Sequence, residues 1–140
     1  MIVENKNEVL KEFLSVDEDG KYKYLIQKGR ALPKMDESVK TDKYKITGCQ
    51  SEVWVYPELK EKKLYFTIDA EAAIIKGIVL ILKDIYSGFT PSEILSLEDK
   101  FLTESGLVAN LSMTRSNGIA QVLKQIKMYA FAFSALAKWY

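Results

Sequence analysis

The sequence has no histidine and a single cysteine, Cys49. Without histidine there is no Ser-His-Asp triad, no Cys-His dyad and no histidine-ligated metal site. One thiolate is too few to hold an iron–sulfur cluster, which takes several. It also has no disulfide partner within the chain, so no oxidising compartment is implied. Arginine is scarce too: the basic residues are lysines apart from Arg30 and Arg115. Charge of one sign is not in excess, with 20 lysines and arginines against 19 acids. No net field therefore draws the chain toward nucleic acid or a membrane surface. The segment Met1 to Asn7 is polar and charged, without the apolar run of a secretory leader. A cytoplasmic protein is expected.

What remains is an ordinary globular composition, 48% hydrophobic and 28% charged over 140 residues. That length predicts a single domain, 1–140, large enough to bury a real core. A short amphipathic helix is expected over residues 5–14, with Val9, Leu10, Phe13 and Leu14 on one face. The acids Asp17, Glu18 and Asp19 suit the start of a second helix, in which Tyr22, Leu25, Ile26 and Gly29 recur at helical spacing. Leu32-Pro33 closes it, and the polar stretch from Pro33 to Lys43 is expected to be an exposed loop.

Alternation then takes over. Tyr44 to Ile46 suggests a brief strand, Ser51 to Tyr56 a second one ended or edged by Pro57, and Leu64, Phe66 and Ile68 a third. Lys60 to Lys63 makes the solvated turn between the last two, so the strands are expected to run antiparallel. Asp69 is the expected N-cap of a helix over roughly residues 71–86 that is apolar almost all round. It is too short, and too interrupted by Lys76 and Lys83, to span a bilayer. Gly77 within it is expected to allow close approach of a neighbour. Gly88 stops it, and Thr90-Pro91-Ser92-Glu93 reads as a capping box opening a short helix. Another short helix over Asp99 to Ser105 ends at Gly106. A last helix, from Ser112 or Thr114, carries Ile119, Val122, Leu123, Ile126, Ala130, Phe133 and Ala137 at helical spacing for most of its length. Phe131, Trp139 and Tyr140 fall off that stripe. The content is thus α+β.

Cys49 lies in Thr47-Gly48-Cys49-Gln50-Ser51-Glu52-Val53-Trp54, between a glycine and an alternating run. A lone free cysteine is most often a small buried hydrophobe. Its neighbours Gly48, Gln50 and Ser51 are loop residues, which favours a reactive group at the end of a strand.

The run Gly48-Cys49-Gln50-Ser51-Glu52-Val53-Trp54 resembles the glycine-cysteine-glutamine-serine-x-valine-tryptophan signature of the SufE family. Further motifs recur in the family's order: Tyr24 to Pro33, Ala72 to Gly77, and Ser112 to Gly118. The likeness runs from about Tyr22 to about Met128. It implies a SufE/IscU-like fold, with about three antiparallel strands and helices packed on one face. It also implies a sulfur acceptor: Cys49 takes persulfide sulfur from a SufS-like cysteine desulfurase, stimulates that enzyme, and delivers sulfur to a SufBCD-like iron–sulfur scaffold complex. No cofactor of its own and no metal are expected, the pyridoxal phosphate belonging to the desulfurase. The family has aspartate-serine-aspartate where this chain has Asp69-Ala70-Glu71, so the second acid reaches one methylene further.

Chemically, one thiolate suffices to carry sulfur, and the absence of a second cysteine prevents discharge of a persulfide as an internal disulfide. With no histidine, activation falls to a cation, to backbone N–H groups or to the donor's own site. Arg115 is the candidate cation, and Gly48, Gln50, Ser51 and Glu71 are the supporting residues. Arg115 tying the loop to the last helix through backbone carbonyls is an equal alternative. Two other functions stay open: a non-chemical adaptor that binds a desulfurase, and a cluster scaffold, which the single cysteine disfavours.

Overall fold

The protein is described by a computed structural model over residues 1–46 and 51–137. Helix α1 (Ile2–Ser15) and helix α2 (Glu18–Ala31) come first, α2 being capped by the Asp17 side chain, which accepts from the Gly20 N–H at 2.8 Å. Strands β1 (Val53–Lys60) and β2 (Lys63–Ala70) form an antiparallel hairpin. The helices α3 (Ala73–Tyr86), α4 (Pro91–Ser96), α5 (Phe101–Glu104) and α6 (Met113–Ala137) follow. Leu64, Phe66 and Ile68 of β2 are buried while Tyr65 and Thr67 are exposed, so the helices cover one face of the hairpin. This is the α+β arrangement expected.

Helix α3 is the centre of the core. Ile78, Val79, Ile81, Leu82 and Ile85 have no exposed surface. Against it lie β2, α2, α1 and α6. Its crossing with α2 is set by two glycines: a Cβ on Gly29 would overlap the Ala73 carbonyl oxygen, and one on Gly77 would overlap that of Leu25. Asn5 of α1 donates to the carbonyls of Asp84 and Ile85 at 3.0 and 2.9 Å, satisfying acceptors that the end of α3 leaves open. The Thr90 capping box of α4 is formed in full. Gly88 and Gly106 adopt φ of +90° and +84° at the helix ends where the sequence places stops.

Four expectations need correction. Tyr44 to Ile46 is not a strand: Asp42–Tyr44 is a 3-10 turn, and contact with β1 is limited to a bridge between Lys45 and Trp54 and the Ile46 N–H to Val53 carbonyl bond of 2.8 Å. Among the described residues the sheet therefore has two strands and not three. Pro57 does not end β1 but stands in an edge strand, the other role expected of it, where it pairs with Phe66, whose own N–H turns away to Ser87 Oγ at 2.9 Å. At such a non-hydrogen-bonded pair the missing proline N–H costs nothing. The stretch after Pro33 is not simply exposed, since Met35 is buried. Asp69 does not cap α3: β2 runs on to Ala70, and Ala72, at the N-cap position, makes no side-chain cap.

Candidate functional site

Thr47, Gly48, Cys49 and Gln50 lie outside the described residues. The residues bounding them in sequence are held in place by an ionic cluster at the open end of the hairpin. Asp69, near the end of β2, has its side chain only 2% exposed. One oxygen meets Lys76 Nζ of α3 at 3.0 Å and the other Lys40 Nζ at 3.0 Å. The carboxylate also accepts from the N–H groups of Met35 (3.0 Å) and Ala70 (2.8 Å). Burial alone would raise the pKa of Asp69; these donors outweigh it and hold the pKa at about 2. Lys76 in turn donates to the Leu32 carbonyl at 2.8 Å, at the end of α2. Lys40 Nζ stands 4.5 Å from the centre of the Trp54 ring, close enough for a cation–π contact. One carboxylate thus ties segment 33–40 to β2, α3 and the start of β1.

Beside it Lys45 Nζ and Glu52 Oε1 form a 3.0 Å ion pair across the last rung before residue 47. Glu71 is joined to the same group, its N–H donating to the Glu52 carbonyl at 3.0 Å. The hydrogen bond from Lys45 lowers the pKa of Glu52, whereas sharing a hydrogen bond and a like charge with Glu52 raises that of Glu71. The two acids therefore divide their roles, Glu52 held as the anion and Glu71 the readier to keep its proton.

Of the expected site residues, Gly48, Cys49 and Gln50 fall outside the described residues, Ser51 is half-buried, and Glu71 is exposed beside Glu52. Arg115 lies in the first turn of α6, its N–H bonded to Ser112 Oγ at 3.2 Å. Among the described residues it makes no ion pair, and none of those above involves it. The residues that sequence reasoning missed are Lys40, Asp69 and Lys76 as a unit. Lys76 gave a signal, being a lysine in a helix apolar on nearly every side, where a buried partner is required.

Among the described residues no group of histidine, cysteine, aspartate or glutamate could hold a metal ion, and no helix is long and apolar enough to cross a membrane. A cavity of about 520 Å³, lined by both charged and apolar residues, adjoins the cluster between the end of α2, segment 32–40 and the start of α3.

The fold is that of a small α+β protein with an ionic cluster bracketing a lone-cysteine segment, and comparison with known proteins assigns it to iron–sulfur metabolism. Residues 7–130 match the SufE family, described as an Fe–S metabolism associated domain, and the chain belongs to that family. It is 34% identical over 127 residues to an uncharacterized SufE-like protein of Rhizobium etli, covering 86% of each chain. A SufE-like protein of Synechocystis is 32% identical, over 84% of this chain and 74% of its own. The cysteine desulfuration protein SufE of Plasmodium falciparum is also 32% identical, over 78% of this chain and 46% of its own. In structure the chain is similar to a hypothetical protein from Thermus thermophilus solved in solution, with a TM-score of 0.75 at 17% identity, over 91% of this chain and 94% of that one.

Proposed function

We propose that this protein accepts sulfur on Cys49 from a cysteine desulfurase and passes it on for iron–sulfur cluster assembly. The observation that carries the reading is the only cysteine of the chain standing in the Gly48 to Trp54 motif of a SufE family member. The name of the Plasmodium relative, a cysteine desulfuration protein, supports the choice of donor.

In the transfer, the Cys49 thiolate attacks the outer sulfur of the donor's persulfide. The donor's S–S bond breaks, its own thiolate leaves, and a persulfide forms on Cys49 with no net oxidation. The pyridoxal phosphate that generates the donor persulfide stays with the desulfurase, and a SufBCD-like scaffold complex is the recipient in this reading. Cytoplasm is the compartment in which a single unpaired thiol persists. Fixed backbone on both sides of residues 47–50 in sequence, through the Asp69 cluster and the Lys45–Glu52 pair, supports the reading because a carrier must present one atom to two partners. Arg115 is assigned as the cation that favours the thiolate. If so, the alkylation rate of Cys49 should titrate at higher pH in Arg115→Gln, and an unchanged profile would remove Arg115 from the site.

The test is intact-protein mass spectrometry after incubation with a cysteine desulfurase and cysteine. A gain of one sulfur atom, reversed by reductant and absent in Cys49→Ser, is expected. No gain from a desulfurase that is itself persulfidated leaves the protein an adaptor.

A further inference from the structure

The cavity beside the Asp69 cluster is lined by Arg30, Lys34, Lys40 and Lys76 against Asp69 and Glu71. Inside it the two buried or half-buried lysines share one carboxylate, Asp69, so that cluster already carries a surplus positive charge. On the rim Arg30 and Lys34 are exposed and, among the described residues, have no acidic partner. With Glu71 counted beside Asp69, the lining holds four cations against two acids and keeps an excess of positive charge. The chain as a whole is nearly neutral, at +1, so four cations around one concavity are a local concentration and not a general property of the surface. Both arginines of the chain lie in segments of functional interest, and Arg30 offers the planar fork that pairs with carboxylates in bidentate fashion.

Ala70 and Glu71 also line the cavity, and the Glu71 N–H is bonded to the carbonyl of Glu52, three residues beyond Cys49 in sequence. A protein that reaches Cys49 therefore passes close to this rim. We infer that the Arg30–Lys34 cavity receives an acidic side chain, or a short acidic segment, of the sulfur-donating protein and sets the orientation in which the two chains meet. This rests on the sulfur-acceptor reading for the identity of the partner. Charge complementarity selects that occupant: a cationic concavity with a buried ionic floor disfavours an apolar segment, which would strand the lysines without water.

The experiment reverses the rim charges, Arg30→Glu with Lys34→Glu, and measures binding to the cysteine desulfurase encoded in the same genome at several salt concentrations. Both residues are exposed, so the fold should persist, and circular dichroism checks this. Lys63→Glu at the hairpin turn, made together with Lys62→Glu so that the change in net charge is the same, is the control. The expected result is about a tenfold or greater loss of affinity in the rim variant at low salt, narrowing as salt is raised, with the hairpin control near the unmodified chain. Sulfur transfer at saturating concentration should be retained, placing the effect in KM and not in kcat. Unchanged affinity for the rim variant, or an equal loss in the hairpin control, overturns the inference. So does an unmodified chain that does not bind the desulfurase at all. Failure of the underlying reading is separate: binding weakened by reversal, but no sulfur on Cys49, keeps the docking cavity and discards the carrier.

Discussion

Asp69 holds two lysines and two backbone N–H groups with one carboxylate, and removing its charge would leave the buried Lys76 ammonium without its anion and break the ion pair of the half-buried Lys40. Breaking a buried pair from one side costs more than the pair contributes, about 3 kcal/mol or more. Asp69→Asn is therefore expected to lose about 3 kcal/mol in urea unfolding at pH 7. The acid dependence has a definite sign. The pKa of Asp69 falls from 3.8 to about 2 on folding. The native state thus binds the proton less readily, and the stabilisation is fully present above pH 3.8 and lost as pH falls through about 2. The stabilities of the unmodified chain and Asp69→Asn should converge over that window. A constant gap down to pH 2 would mean that the aspartate acts through packing and not through charge. Its role was not legible in the sequence. An aspartate shortly before a long apolar helix satisfies the N-cap rule equally well, and only the extension of β2 to Ala70 reveals that it points elsewhere.

Between elements, the α2–α3 crossing brings two main chains into direct contact, because two glycines let each helix backbone rest on the other. The neighbour of each missing Cβ is a carbonyl oxygen of the opposing main chain, so no flexible side chain can yield. Gly77→Ala is expected to force the helices apart, costing about 3 kcal/mol at the upper end of overpacking penalties despite alanine's better helix propensity. Thermal unfolding measures it, and a Tm equal to that of the unmodified chain would mean that the helices shift freely. This crossing was partly legible: Gly29 lies on the helical stripe of α2, and Gly77 interrupts an apolar helix where close approach is the usual reason for glycine. The hairpin was legible for a similar reason. Alternation in β2 fixes its faces, and the charged Glu61-Lys62 turn, with φ of 50° and 70°, matches the turn type that joins two-residue hairpins. The supposed first strand was not, because three alternating residues do not distinguish a strand from a 3-10 turn followed by one bridge.

At the scale of the whole molecule, one hydrophobic cluster takes residues from every α-helix and both strands, from Ile2 and Phe13 through Val55 and Ile78 to Phe101 and Ala130. No named strand or α-helix has a core apart from the others, so none should unfold alone. Calorimetry is expected to show a single transition with equal calorimetric and van't Hoff enthalpies, at about 100 kcal/mol for a chain of this length near 60 °C. On the sulfur-acceptor reading Cys49 presents its thiol to partner proteins and is not a core residue, so Cys49→Ser should shift Tm by no more than a degree or two while abolishing sulfur acceptance. Two resolved transitions would refute the single core. A large fall in Tm for Cys49→Ser would return the cysteine to the interior as a packing residue, and the sulfur chemistry assigned to it would lose its physical basis. The family signature that singles out Cys49 is a local pattern, and membership of the family was legible in it. The cationic cavity was not, because Arg30, Lys40 and Lys76 are brought together only when segment 32–40 folds back over the start of α3.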